Sequence, residues 1–225
     1  MPLMGGKNYR YLNQPVTRLD AVDKVTGRAR YAADVQFPGM IFGGCLRSGI
    51  AYGKILKIDT EKAKAIPGVR AVLTAADVPK PQSWADYPYL AKDMIRYVGE
   101  VVAIVAADTK DLVQDALRAI EVEYEELEGV YTIEEALKPD AVQIREKGVG
   151  LKDGLPSRDM KGNIFADSYY PIRKGDVEKG FAEADYIIER TYRTQFVEHS
   201  YIEPEACVVL EDPVDGVLTA HASAQ

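Results

Sequence analysis

The side chains best suited to chemistry in this sequence are two histidines, His199 and His221, with Glu203 and Glu205 close to the first of them. An imidazole beside a carboxylate makes an acid–base pair, and two imidazoles with a carboxylate make a metal site. The spacing follows no known ligand pattern, so an interface or hydrogen-bonded core position for each histidine stands beside the catalytic reading. Cys45 and Cys207 both sit in strand-like apolar runs, where a thiol behaves as a small buried hydrophobe. They are too few and too far apart to form a disulfide framework or a cysteine cluster for zinc or iron–sulfur. The run Glu121 to Glu128 reads as the solvated face of an edge strand. Trp84 and Tyr87-Pro88-Tyr89 read as aromatic residues packing down a loop. P-loop, GxSxG, HExxH, CxxC and GxGxxG patterns are all missing. The residue types alone therefore assign no catalytic set and no metal set.

Composition narrows the class. With a net charge of −7 the chain lacks the basic footprint of a nucleic-acid partner. No apolar run approaches the roughly 20 residues of a membrane span, and the start, MPLMGGKNYRYLNQP, lacks the apolar core of a secretory signal. A soluble, cytoplasmic protein is expected.

The elements that must position these residues follow from periodicity. Residues 1–22 are polar and irregular, and are expected to form an N-terminal arm. Met40–Arg47, Lys54–Asp59 and Val69–Leu73 read as strands, with a short helix opened by Thr60 and closed at Pro67-Gly68. Val101–Ala106 is apolar on both faces, as a central strand requires. Asp108 or Thr109 then caps a helix that puts Leu112, Val113, Ala116, Leu117 and Ile120 on one side. Glu121–Glu125 returns as an alternating strand. These elements form one α+β domain over 23–133. Residues 134–162 read as a linker, and 163–225 as the start of a second unit. There, Asp176 begins a helix with Val177, Phe181 and Ala184 inward, and Tyr186–Val197 alternates as a long strand. Ala206–Leu210 pairs with Val217–Ala224 across a turn at Asp212-Pro213-Val214-Asp215-Gly216.

Several stretches resemble one family. Asp20 to Val35, DAVDKVTGRARYAADV, is similar to the D-x-x-x-K-x-T-G-x-A-x-Y-x-x-D run that opens the molybdenum-binding subunit of the xanthine dehydrogenase and aldehyde oxidase family. The resemblance continues through Leu46-Arg47-Ser48, Ala65-Ile66-Pro67-Gly68-Val69, Ile95 to Ala103 (IRYVGEVVA) and Val122 to Glu125. It resumes at Lys174-Gly175-Asp176-Val177 and at Phe181 to Asp185. Glu198 to Glu205, EHSYIEPE, resembles an E-H-x-x-x-E-P stretch of the family. Two departures stand out: Ser48-Gly49-Ile50-Ala51-Tyr52 replaces a common S-P-H-A-H, and Val101 replaces a frequent proline.

The resemblance implies an α+β architecture: an a/b hammerhead domain followed by the incomplete beginning of a molybdopterin-binding domain. Ser223-Ala224-Gln225 is similar to the S-T-Q or T-T-Q of the family's first cofactor-facing strand. Gln225 is then the cofactor-binding residue, its neutral amide donating to the apical oxo ligand of molybdenum. No catalytic residue and no metal ligand falls on this chain. The glycine-rich cofactor loop, further pterin loops and catalytic glutamate of the family are not among the 225 residues. The implied cofactor is a molybdenum–molybdopterin group, the cytosine dinucleotide form being one option, shared with a second molybdopterin-binding polypeptide or a C-terminal remainder. Iron–sulfur clusters and FAD would sit on partner subunits. The implied reaction is hydroxylation of an aldehyde, purine, N-heterocycle or related small molecule, or a related reduction. A non-catalytic assembly or binding module that keeps the hammerhead domain is the alternative.

Overall fold

The computed structural model describes residues 10, 15–79, 83–84, 87–145, 160–165, 172 and 174–223. Two compact units divide the chain: Gly39–Ile188 is one, and Met1–Pro38 with Glu189–Gln225 is the other. The mix of helix and strand is the α+β class expected from the sequence.

The elements run α1 (Ala21–Val25), β1 (Phe42–Arg47), β2 (Gly53–Asp59), α2 (Glu61–Lys64) and β3 (Val69–Thr74). They continue with β4 (Ser83–Trp84), β5 (Tyr87–Pro88), β6 (Met94–Ile95), β7 (Val101–Ala107), α3 (Lys110–Ala119), β8 (Glu121–Glu126) and α4 (Ile133–Ala136). The last are β9 (Met160–Lys161), β10 (Ile164–Phe165), α5 (Val177–Ala182), β11 (Cys207–Glu211) and β12 (Leu218–Ala222).

In the larger unit β7 lies between β1 and β3 in an antiparallel sheet, and β2 lies between β6 and β8 in a second one. β7 is central because both of its faces are apolar, as its sequence requires. One face (Ala103 and Val105) meets Ala63 of α2, Val72 of β3, and Ala116 and Ile120 at the α3 end. Helix α3 forms there because Thr109 accepts the Leu112 amide N–H at 3.2 Å and starts it cleanly. The close approach of α3 needs Gly44: a Cβ there would strike Val113 Cγ1. A second cluster joins Ala91, Ile95 and Val102 with Ile50, Ile55, Tyr124 and Val122. Ile95 and Val102 are fully buried, each worth about 1.5–3 kcal/mol of apolar transfer.

The opposite face of the first sheet is covered at Val102 by the second cluster and open at Ile104 and Ala106. Cys45, Ile104 and Leu73 lie in one cross-strand row, and Gly43, Ala106 and Ala71 in the next. These six residues line a shallow apolar hollow. Cys45 is exposed, as is Cys207 on β11, so the expectation of two buried cysteines is corrected. Alternation fixed their faces, but nothing in this chain covers those faces among the described residues.

β8 is the edge strand anticipated from its carboxylates: Glu121, Glu123, Glu125 and Glu126 are all exposed. Lys54 and Lys62 reach Glu125 and Glu121 from neighbouring elements. Such exposed pairs add little stability. The side chains of Trp84 and Tyr87 lie outside the described residues, and Tyr89 is half exposed. Asn163 ties residues of the anticipated linker together. Its side-chain carbonyl accepts the Ile144 N–H at 3.0 Å, and its amide donates to Val142 O at 2.9 Å and Ala136 O at 3.3 Å.

Helix α5 begins where expected, with Asp176 accepting the Lys179 N–H at 3.0 Å. Its anticipated inner face is only loosely packed. Val177 and Phe181 line an open depression with Ala184 and Tyr186 and remain exposed. In the other unit β11 and β12 form the anticipated hairpin. The long strand over Tyr186–Val197 does not form: these residues are exposed and belong to no strand among the described residues. A strand is defined by its neighbour, and the described residues offer none.

Candidate functional site

Two constellations gather the stretches that carry the family resemblance. The first is the hairpin of β11 and β12. Its turn is built as the sequence dictates: Asp212 N–H donates to Val217 O at 2.9 Å and Gly216 N–H to Asp212 O at 2.8 Å. Gly216 takes φ +70°, a left-handed angle that costs glycine nothing. The carboxylates of Asp212 and Asp215 accept the amides of Val214 and Val217 at 2.8 and 2.9 Å. At the open end, Ser223 holds the two strands in register. Its N–H donates to Ala206 O at 3.1 Å, its hydroxyl accepts the Ala206 N–H at 2.9 Å, and it reaches Pro204 O at 3.3 Å. Ser223 is thus anchored on the Pro204–Ala206 segment. Ala224 and Gln225 lie outside the described residues.

The histidines are not brought together into a site. His221 of β12 packs its ring 6.0 Å from Phe37, and His199 stacks 5.3 Å from Tyr201. Both residues are exposed, so neither fills a core position. His199 lies on no strand. Next to it Ser200 takes φ +50°, and the Glu198 carboxylate accepts the Ser200 amide at 2.5 Å. Glu203 and Glu205 are exposed. Among the described residues, no three His, Cys, Asp or Glu side chains converge on a point where a metal ion would sit.

The second constellation lies in the larger unit, where the Leu46-Arg47-Ser48 and Ile95–Ala103 stretches meet. Ser48 N–H donates to Glu100 O at 2.9 Å, and Gly99 N–H donates back to Ser48 O at 2.9 Å. Arg47 Nη1 donates to Gly99 O at 2.9 Å. The Ser48 hydroxyl closes its own turn, accepting from Ile50 N and donating to Ile50 O. Glu100 is buried, and its carboxylate accepts the Arg96 N–H at 2.7 Å, with the Arg96 guanidinium 3.6 Å away. Burial raises its pKa, and the Arg96 amide and charge pull it partly back. Tyr124 is likewise raised by burial, against a hydrogen bond with Ser48. These contacts lock two loops. Glu100 holds the Arg96 backbone amide and Tyr124 bonds to Ser48, so both groups serve to join the two loops. Sequence reasoning missed Glu100 because only its burial marks it, although the Gly-Glu pair was in plain view.

Comparison with known proteins decides what these stretches belong to. Residues 26–128 match the model of the aldehyde oxidase and xanthine dehydrogenase a/b hammerhead domain, and residues 158–225 match that of the molybdopterin cofactor-binding domain. The chain belongs to the aldehyde oxidase and xanthine dehydrogenase family. The nicotinate dehydrogenase large molybdopterin subunit of Eubacterium barkeri is 38% identical, over 98% of this chain and 49% of that one. The carbon monoxide dehydrogenase large chain of Hydrogenophaga pseudoflava is 34% identical over 89% of this chain and 26% of that one. The solved aldehyde oxidoreductase of Desulfovibrio gigas superposes with a TM-score of 0.71 at 25% identity, covering 92% of this chain and 23% of that one. The chain therefore spans about half, or less, of the length of these family members. Among the described residues no helix is long and apolar enough to cross a membrane.

Proposed function

We propose that this chain is the N-terminal part of the molybdenum-binding subunit of a molybdenum hydroxylase-type oxidoreductase, active only with the rest of the molybdopterin-binding domain. The observation that carries the reading is the succession of a hammerhead match and a cofactor-domain match along one chain, in that order. The named relatives, a nicotinate dehydrogenase and an aldehyde oxidoreductase, support an oxidised small heterocycle or aldehyde as substrate class.

Fit to a molybdenum–pterin group is tested by the donor chemistry at the end of β12. The strand is exposed along its whole length, and Ser223 fixes where the chain leaves it toward Gln225. A neutral amide carried from such a strand end donates to an oxygen-rich group without adding charge. Gln225 is the residue that would do so. The group supplies oxygen-atom and electron transfer when bound. Ser223, the Asp212–Val217 turn and the Pro204–Ala206 segment hold the strand that precedes Gln225 in sequence. The general base lies outside this chain.

The finer assignments belong to the same reading. They are a cytosine dinucleotide form of the pterin, iron–sulfur and FAD partner subunits, and a cytoplasmic location. Metal analysis of the complex purified with this chain tests the proposal. About one molybdenum per chain, with a pterin released on oxidation, supports it. A stoichiometric complex without molybdenum would identify a non-catalytic assembly module instead.

A further inference from the structure

We propose that residues 31–37 strap the β11–β12 hairpin from one side, and that Phe37 is a positioning residue for its cofactor end, acting through His221. These residues lie within the stretch, 26–128, that matches the hammerhead domain. In the structure they fold with the hairpin, in the unit made of Met1–Pro38 and Glu189–Gln225. A single 3-10 turn, Ala32–Asp34, gives the strap its shape. The Asp34 carboxylate accepts the Tyr31 N–H at 3.0 Å, and Asp34 N–H donates back to Tyr31 O at 2.9 Å. The turn packs on β11. Beyond it the Phe37 ring reaches β12, with its centroid 6.0 Å from that of His221 and the planes tilted by 37°. Ring pairs attract over about 4.5–7 Å between centroids.

Exposure shows which face the strap takes. Val208 stands directly opposite His221, and Leu210 opposite Thr219, so these four share one face of the hairpin. On β11 Val208 and Leu210 are half-buried, whereas Cys207 and Val209 on the other face are exposed. Tyr31 and Phe37 are 38% and 37% exposed, against 85% for Tyr192 and full exposure for Phe196 in the same unit. The strap thus takes one face of the hairpin and leaves the other bare. Its consequence for the cofactor rests on the reading of Gln225 given above. Ser223 fixes the two strands against each other. The Phe37–His221 contact fixes the pair against the N-terminal segment, four residues before Gln225 in sequence.

The test uses the purified molybdenum-bearing complex, read by hydrogen–deuterium exchange and by the paramagnetic resonance signal of its half-reduced metal. Phe37→Ala should speed exchange of the β12 amides about tenfold and alter the shape of the signal at unchanged molybdenum content. Phe37→Tyr, which keeps the ring, should restore both. Combining Phe37→Ala with His221→Ala should do no more than either change alone, because both remove one contact. Unchanged exchange of the β12 amides in Phe37→Ala overturns the strap. Faster exchange with an unaltered signal overturns the positioning role and leaves the proposed function intact. Faster exchange in a complex whose parent chain holds no molybdenum sustains the strap and defeats both the positioning role and the proposed function.

Discussion

Ser223 and Ala206 exchange two hydrogen bonds, Ser223 N–H to Ala206 O at 3.1 Å and Ala206 N–H to Ser223 Oγ at 2.9 Å. They close the β11–β12 hairpin at the end opposite its turn, where the chain runs on to Gln225. Replacing Ser223 with alanine removes the acceptor of the Ala206 amide. The loss of about 1 kcal/mol should speed exchange of that amide roughly fivefold, read by hydrogen exchange, with the turn at Asp212–Val217 unaffected.

Adjacent glycines on β1 should respond in opposite ways. Gly44→Ala forces a methyl into Val113 Cγ1, with Leu117 Cδ1 only 3.2 Å away. Overpacking of this kind costs about 1–3 kcal/mol. Gly43→Ala points to the open face, with nothing closer than Val105 O at 3.8 Å, and should shift stability by about 0.5 kcal/mol at most. Urea midpoints of the two variants separate the covered face of the sheet from the open one.

Burial raises the Glu100 pKa above its ordinary value of 4.5. A carboxyl whose folded pKa exceeds its unfolded one favours the fold most below the unfolded value. That contribution is lost as pH rises through the folded value. Glu100→Gln removes this titration and keeps an acceptor for the Arg96 N–H. The stability of the variant relative to the parent should therefore rise as pH climbs from 4.5, as shown by urea midpoints at successive pH values. A difference that stays flat with pH would show that the Arg96 contacts offset burial completely.

Trypsin should cut first after Arg190 and Arg193, which lie in exposed backbone paired to no strand among the described residues. The body built on β1, β7, β3 and α3 should outlast those cuts. A time course followed by mass spectrometry gives the order, and equal resistance of the two regions would contradict the exposure of the segment.

Both thiols should react with a disulfide reagent in the native chain, because Cys45 and Cys207 are exposed. Two thiols titrated without denaturant is the expected result. One or none would mean that something covers the open sheet face or β11.

Much of the larger unit was legible in the residues. Val101–Ala106 announces a two-faced central strand, and Leu112, Val113, Ala116, Leu117 and Ile120 announce the helix laid on it. Local signals suffice there: a capping threonine, a helical period and a strand period each act over a few residues. What stayed hidden depends on partners distant in sequence or outside the chain. Periodicity put Cys45 on a face but did not reveal that the face is uncovered. The same alternation in Tyr186–Val197 reads as a strand, yet no strand forms there among the described residues. The Ser223 staple joins residues 17 apart through one hydroxyl, a contact that no pattern encodes. The family stretches at Leu46–Ser48 and Ile95–Ala103 were legible as motifs. Their meeting at Glu100 required the fold.

The row of carboxylates on β8 also governs how this protein behaves in concentrated solution. A free sheet edge invites its like to zip against it, and Glu121, Glu123 and Glu125 set like charges facing each other in any such encounter. That repulsion keeps copies apart. Replacing the three glutamates with glutamine would remove it, and turbidity would then develop from the edge of an otherwise folded body.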